Sequence, residues 1–303
     1  MLPGMDRSTL LAFAGVIVLG GVNGVAIGFL NRELAPVWGA ALRFGSAAAL
    51  LFGLAALRGT RLPRGGALIG SAAYGIAYFG IGFGLIHWAL VEAPPGMTQV
   101  ILAVVPLVAL LLAVAHGVEA FRWQGLAGAL LALTGVAVVF AERLGTALPG
   151  LVLLAILGGA IGVAEGTVLV KRFPRSDPIA GNAIAMAVAA ALLIVVSLIA
   201  AERWSLPSSA ASWSALIYLA SIGSVAVFVL FLYVVGRWTA SATSYMWPLL
   251  PLVAVPFSAL IVGEPVTPLL LVGGALVGVG VYVGAVAPTL EVGARAAEGS
   301  DRP

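Results

Sequence analysis

The chain of 303 residues is 62% hydrophobic and only 9% charged, with a mean hydropathy of +1.14, a composition that excludes a soluble globular domain. Its net charge of +3 is spread over short connections, which excludes a nucleic-acid partner. It has no cysteine, which rules out disulfides, thiolate metal sites and thiol catalysis, and no metal or cofactor is expected.

Apolar stretches of about 20 residues match a hydrocarbon layer about 30 Å thick. They predict ten spans near 9–30, 34–57, 67–90, 94–115, 122–141, 149–170, 178–201, 211–235, 239–261 and 266–286. The expected fold class is therefore all-α integral membrane.

Span one carries Gly20, Gly24 and Gly28 on one face, with Asn23 beside the stripe. Its apolar run is longer than a signal-peptide core, so it is kept as a span. Span two holds Arg43. An ionisable group at depth costs roughly 2.5–3.5 kcal/mol and is a functional candidate by default. The guanidinium either meets a substrate carboxylate with its fork of donors or is tied to helix-end carbonyls or a nearby acid, Glu33 or Glu92. Tyr74 and Tyr78 share a face of span three, and His87 and Glu92 frame the following turn as gate residues or as solvated interfacial groups.

Met97 and Gln99 open span four after Pro94–Pro95, and both suit a bulky, partly polar ligand as well as ordinary packing. Span six repeats the glycine stripe as Gly158, Gly162 and Gly166, with Glu165 beside it. Such stripes let helix backbones approach closely. Glu165 is either a buried acid, protonated or bonded to the backbone, or a proton-coupling or amine-binding carboxylate. Span nine contains Tyr245, Trp247, Pro248, Pro251 and Pro256. The other tryptophans fall at predicted helix ends, as membrane-interface rings do; Trp247 is packed within the bundle or walls a cavity. Pro106 and Pro251 leave the carbonyls of Leu102 and Trp247 without their amide partners. Pro106, Pro248 and Pro251 are the candidate hinge positions. Aromatics on spans three and nine, with polar groups on one, four and six, suggest an inward-facing cavity.

The chain repeats itself. Besides the two glycine stripes, Pro106, Glu119, Gly128 and Gly135 recur as Pro251, Glu264, Gly273 and Gly280 at one constant offset. Each copy contains five spans, an odd number, so the second copy enters the membrane from the opposite side. Inverted repeats of this kind are built around a substrate site between the copies. The expected division is 1–145 for the first repeat, 146–290 for the second and 291–303 for a cytoplasmic tail. Arg7, Arg58, Arg61, Arg64, Arg122, Lys171, Arg172, Arg175, Arg237, Arg295 and Arg302 fall on one face, against Arg32, Arg143 and Arg203 on the other. That asymmetry places both termini in the cytoplasm.

The segment from Pro36 to Phe44, with Trp38 and Arg43, resembles the second-span signature of the drug/metabolite transporter superfamily, EamA type. Gly263-Glu264-Pro-Val-Thr, followed by Gly273 to Gly280, resembles the segment that closes each EamA repeat, and Glu119 stands in the same place after His116-Gly-Val. The resemblance implies a ten-helix transporter of inverted five-helix halves in a bacterial inner membrane, with a cavity formed by spans one, three, four, six, eight and nine. Its aromatic and methionine content is similar to that of the aromatic amino-acid exporter group, although span one lacks the tryptophan common near its start and carries Asn23 there.

A membrane enzyme is disfavoured because Asp6, Asp177 and Asp301, the aspartates of the chain, lie outside the spans. Lys171, its single lysine, sits at a helix end, so there is no Walker motif for ATP-driven pumping. A channel would need a polar-lined helix or selectivity rings. The expected function is secondary, alternating-access export of aromatic or bulky neutral amino acids, or of other hydrophobic metabolites or drugs through the same cavity. The partners are then a small-molecule substrate and membrane lipid.

Overall fold

A computed structural model describes residues 6–93, 95–139, 141, 148–262 and 268–286. Its helices are α1 (Arg7–Leu30), α2 (Pro36–Leu57), α3 (Gly66–Ala89), α4 (Met97–Ala115), α5 (Trp123–Val139), α6 (Gly150–Arg172), α7 (Pro178–Ile199), α8 (Ala210–Val235), α9 (Ala240–Ser244 continued by Met246–Val262) and α10 (Pro268–Ala285). Among the described residues, eight of these are long and apolar enough to cross a membrane, and α5 is a shorter apolar helix. The helix starts are encoded locally. Asp6, Ser209 and Thr239 cap α1, α8 and α9 with side-chain oxygens, and Asp177 caps α7 ahead of Pro178.

The packing is two-fold in pattern. α2 lies along its own counterpart α7, and α5 along α10. The remaining neighbours come in matched pairs: α3 on α6 as α1 on α8, and α4 on α6 as α9 on α1. With five helices per repeat, the two halves are inverted. The recurring glycines explain the α5–α10 seam. A Cβ on Gly135 would lie 2.6 Å from the Val277 amide nitrogen and 2.7 Å from the Gly273 carbonyl, and one on Gly280 would lie 2.7 Å from the Gly128 carbonyl. Backbone meets backbone here, so nothing can rotate away. Gly135→Val is therefore expected to lose most folded protein, by at least the roughly 1–3 kcal/mol of overpacking. A wild-type elution profile and melting temperature for this variant would contradict the seam.

The two glycine stripes are used differently. On α6, a Cβ on Gly162 would meet the Ala77 carbonyl at 2.8 Å, and one on Gly166 the Tyr78 side chain at 2.6 Å, so this stripe seats α3. On α1, Gly24 has Gln99 Nε2 at 3.9 Å and Gly28 has nothing within 4 Å. The expected close approach of helices holds on α6 and at Gly20, whose Cβ would lie 3.2 Å from Leu250 of α9; at Gly24 and Gly28 the same spacing borders open space.

Regular α-geometry also gives way at several points, two of them beside candidate hinge prolines. α1 breaks at Val22, α4 turns at residues 103–104, and α9 breaks at Tyr245. Matching parts of α3 (Gly75–Phe83) and α8 (Ser221–Ala226) are π-helical, a geometry common at functional sites. Pro106 starts the second half of α4 just after its turn, and Pro248 follows the Tyr245 break within one turn. Pro251 lies inside a continuous helix. The α9 break is thus associated with Pro248, whereas the repeat pattern singles out Pro251. Pro256 lies in that same helix, while the side chains of residues 255–262, together with Gly263 and Glu264, lie outside what is described.

The connections at one end of the bundle cross-link the halves reciprocally. Glu33, just before α2, accepts from Ser208 N at 2.7 Å and from Ser209 N at 3.2 Å, capping α8. Glu202, before α8, accepts from Val37 N and Trp38 N at 3.1 and 2.8 Å, capping α2. Trp38 stacks on Trp204 with ring centroids 4.4 Å apart. The serine donors hold the Glu33 carboxyl down, from an ordinary 4.5 to about 2. A depressed folded-state value stabilises above the unfolded value and is lost as pH falls through the folded one. The difference in melting temperature between wild type and Glu33→Gln should therefore be constant above about pH 5 and vanish between about 4.5 and 2. A difference that persists at pH 2 would contradict the cap.

Candidate functional site

The breaks and π-segments surround a pocket at the centre of the bundle. Its walls are Val16, Gly20, Asn23, Gly24 and Ile27 of α1, Phe83, Ile86 and Leu90 at the end of α3, Thr98, Gln99 and Leu102 of α4, Val227 and Phe228 of α8, and Met246, Trp247 and Leu250 of α9. Its volume is about 50 Å³, against roughly 300–1,000 Å³ for sites that enclose a small ligand. The pocket is closed down, and a ligand larger than a water or two requires it to expand.

Three residues that line this apolar space carry buried polar atoms without a partner. Asn23 donates to the Gly223 carbonyl at 3.1 Å, and its Oδ1 has no partner. Gln99 Oε1 and Trp247 Nε1 are likewise buried and unpaired. Each such group costs about 1–3 kcal/mol while unsatisfied. Two acceptors and a donor thus belong to the lining residues of one apolar pocket. Thr98, which also lines it, already has a partner.

Arg43 is fully buried but lies behind the pocket wall. Its Nε donates to Ser224 Oγ at 2.9 Å and its Nη2 to the Gly223 carbonyl at 3.0 Å. Nη1 lies 3.4 Å from His87 Nε2, and the guanidinium sits over the Phe44 and Phe83 rings at 4.9 and 5.1 Å. Among the described residues no acid holds it: Glu33 caps α8, and Glu92 is exposed. His87 is also not interfacial, as it is buried beside Arg43. Because an arginine N–H can only donate, Nε2 of His87 accepts and its proton belongs on Nδ1, which has no partner. Arg43 and Asn23 thus share one acceptor, a carbonyl within the α8 π-segment. Gly223 suits that position, because a Cβ there would displace the Asn23 amide oxygen.

Beyond Trp247 the bundle is filled with rings. Phe83 contacts Trp247 at 6.0 Å between centroids, Tyr78 contacts Phe228 and Phe231 at 5.6 and 5.3 Å, and Tyr74 contacts Tyr78 at 5.3 Å. The Tyr78 hydroxyl faces the Trp247 indole without closing a hydrogen bond. This aromatic plug separates the pocket from a second cavity of about 650 Å³ at the end of the bundle bearing the α6–α7 and α8–α9 connections. Tyr74 lines that second cavity.

Of the sequence candidates, Asn23, Gln99 and Trp247 therefore come together, with Tyr78 adjacent. Met97 is buried outside the pocket lining. Tyr245 pins the α9 break by donating to the Gly125 carbonyl at 2.7 Å. Glu165 lies 3.6 Å from His116 Nε2 at the end of α4; α6 contributes nothing to the pocket wall. Sequence reasoning missed Gly223, Ser224, Phe83 and Phe228. The one available signal was the repeat, which sets Gly223 opposite Tyr78.

Both halves of the chain, residues 7–141 and 150–285, match the EamA-like transporter family. The chain belongs to that family. It is an integral membrane transporter, not an enzyme. Among its EamA-like relatives, the uncharacterized inner membrane transporter YedA of Escherichia coli is 30% identical over 234 residues, covering 76% of this chain and 74% of that protein. A probable terminal-alkyne amino-acid exporter of Streptantibioticus cattleyicolor is 28% identical over 194 residues, 63% of this chain and 64% of that one. One solved crystal structure superposes with a TM-score of 0.77 over 93% of this chain and 97% of its own, at 20% identity, and shares the fold.

Proposed function

We propose that this chain exports amino acids, aromatic or bulky neutral ones, by alternating access through the central pocket. The carrying observation is the trio of unpaired groups in an apolar, ring-walled space. Asn23 Oδ1 and Gln99 Oε1 suit a ligand ammonium, Trp247 Nε1 suits its carboxylate, and Phe83, Phe228 and Met246 suit a large apolar side chain. The amino-acid exporter among the relatives supports the same class. In this reading Arg43 fixes α8, and the turns near Pro106 and Pro248 flex as the plug of Tyr74, Tyr78 and their neighbours opens. The His116–Glu165 pair carries any proton coupling. Both termini face the cytoplasm. The pocket's apolar walls favour one second reading, export of other hydrophobic metabolites or drugs.

The test is flux of an amino-acid panel in vesicles reconstituted with the purified protein, with and without a pH gradient. Phenylalanine flux should be saturable and several-fold above that of empty vesicles; flux no faster than in empty vesicles would sink the substrate class. Uphill flux driven by a pH gradient should be lost in Glu165→Gln. If it persists at the wild-type rate, Glu165 is not the coupling acid.

A further inference from the structure

The 650 Å³ cavity at the bundle end is unlike the central pocket. Lys171 and Arg175, on either side of the α6 terminus, and Arg237, after α8, all line it, and among the described residues no carboxylate does. Arg175 stands close enough to Lys171 for the two charges to repel. Three acids lie near the rim, outside the lining: Asp177 caps α7, Glu119 interacts with Lys171, and Asp6 interacts with Arg237. Asp6 accepts from Ser8 and from Thr9 within the first turn of α1, and Glu119 accepts from the Ser241 amide and hydroxyl. With three cations on its lining and the acids set outside it, the cavity carries an excess of positive charge, which draws an anion.

The neutral groups point the same way. Tyr74 is 1% exposed and lines this cavity, and its buried hydroxyl has no partner. A phenol O–H in that position is a donor awaiting an acceptor. Ser71 and Ser176 bring their hydroxyls together at 3.4 Å on the same wall. Arg237 is held over the Tyr233 ring at 3.5 Å, which fixes its guanidinium in place. At 650 Å³ the space already has the size of a small-molecule site, with no expansion needed.

We propose that this vestibule binds an oxyanion, a carboxylate or phosphate group borne by a small amphipathic molecule. Lys171 and Arg175 neutralise the anion, and the Tyr74 hydroxyl donates to it from the floor. Its bearer is either a soluble organic anion or an anionic lipid headgroup reaching in from the bilayer surface. The proposal holds whatever the central pocket transports.

The test uses the full chain in phosphatidylcholine nanodiscs. Binding of radiolabelled inorganic phosphate and of benzoate is measured at constant ionic strength, and retention of added phosphatidylglycerol is followed by native mass spectrometry. At least one probe should bind saturably to wild type. Lys171→Gln/Arg175→Gln should weaken it at least fivefold and Tyr74→Phe about twofold. Arg203→Gln, which removes an exposed charge from the α7–α8 connection at the opposite end of the bundle, should leave it unchanged. Binding of the soluble anions identifies a soluble bearer; selective retention of phosphatidylglycerol identifies a headgroup, and both support the site. Arg175 is exposed, so Arg175→Gln alone provides a variant that folds. Saturable binding of none of the three probes, or equal binding by wild type and the double variant, overturns the proposal.

Discussion

Arg43→Ala is expected to destabilise the protein by about 3–5 kcal/mol, the largest effect of any single truncation here. The guanidinium meets Ser224, the Gly223 carbonyl and His87 at 2.9, 3.0 and 3.4 Å. Removing it strands these groups in an interior without water, at about 1–3 kcal/mol for each that finds no new partner. It also leaves a void between the Phe44 and Phe83 rings. Against this stands the cost of burying a cation with no carboxylate beside it, several kcal/mol in a low-dielectric site. The two terms separate in a second variant. Arg43→Met keeps most of the volume and removes the desolvated charge, so it should melt above Arg43→Ala although it makes no hydrogen bond. Thermal unfolding in detergent checks both. An Arg43→Ala protein that melts with wild type would show that the Gly223 hub does not hold α8 in place.

That hub marks where sequence reasoning stopped. Arg43 is conspicuous as a buried charge, and charge logic looks for an acid, hence Glu33 and Glu92. The actual partners are a backbone carbonyl, a serine and a neutral histidine. None carries a charge pattern in the sequence. The Gly223 carbonyl is available because α8 widens into a π-segment, and the apolar run there reads simply as helix. The scaffold, by contrast, is legible. Gly128, Gly135, Gly273 and Gly280 recur because the α5–α10 seam allows no Cβ, a constraint both copies share. The limits of that logic lie in the stripes. Gly162 and Gly24 have the same spacing, yet one touches a backbone and the other borders a pocket, a difference fixed by residues on other helices. Likewise Glu165 sits beside its stripe as Asn23 does, but the rotation of α6 turns it to His116 and away from the pocket.

Gln99→Leu should separate stability from transport, with opposite signs. In the closed pocket Gln99 Oε1 is buried without a partner, so its replacement by an apolar side chain of similar size removes an unsatisfied group. The melting temperature should hold or rise, by an amount equivalent to as much as about 1–2 kcal/mol. In the loaded pocket the same oxygen is proposed to accept from the ligand ammonium. Its loss leaves a charged donor facing hydrocarbon at about 1.5–3 kcal/mol, a reduction of roughly ten- to a hundredfold in saturable flux. Asn23→Leu is the less clean partner, because Asn23 also donates to the Gly223 carbonyl at 3.1 Å, so it should lose stability as well as flux. The pair of outcomes is therefore diagnostic. A residue retained for folding loses both when it is made apolar; a residue retained for a ligand loses transport alone. Wild-type flux in Gln99→Leu would remove the central pocket from the transport path, however stable the variant proved.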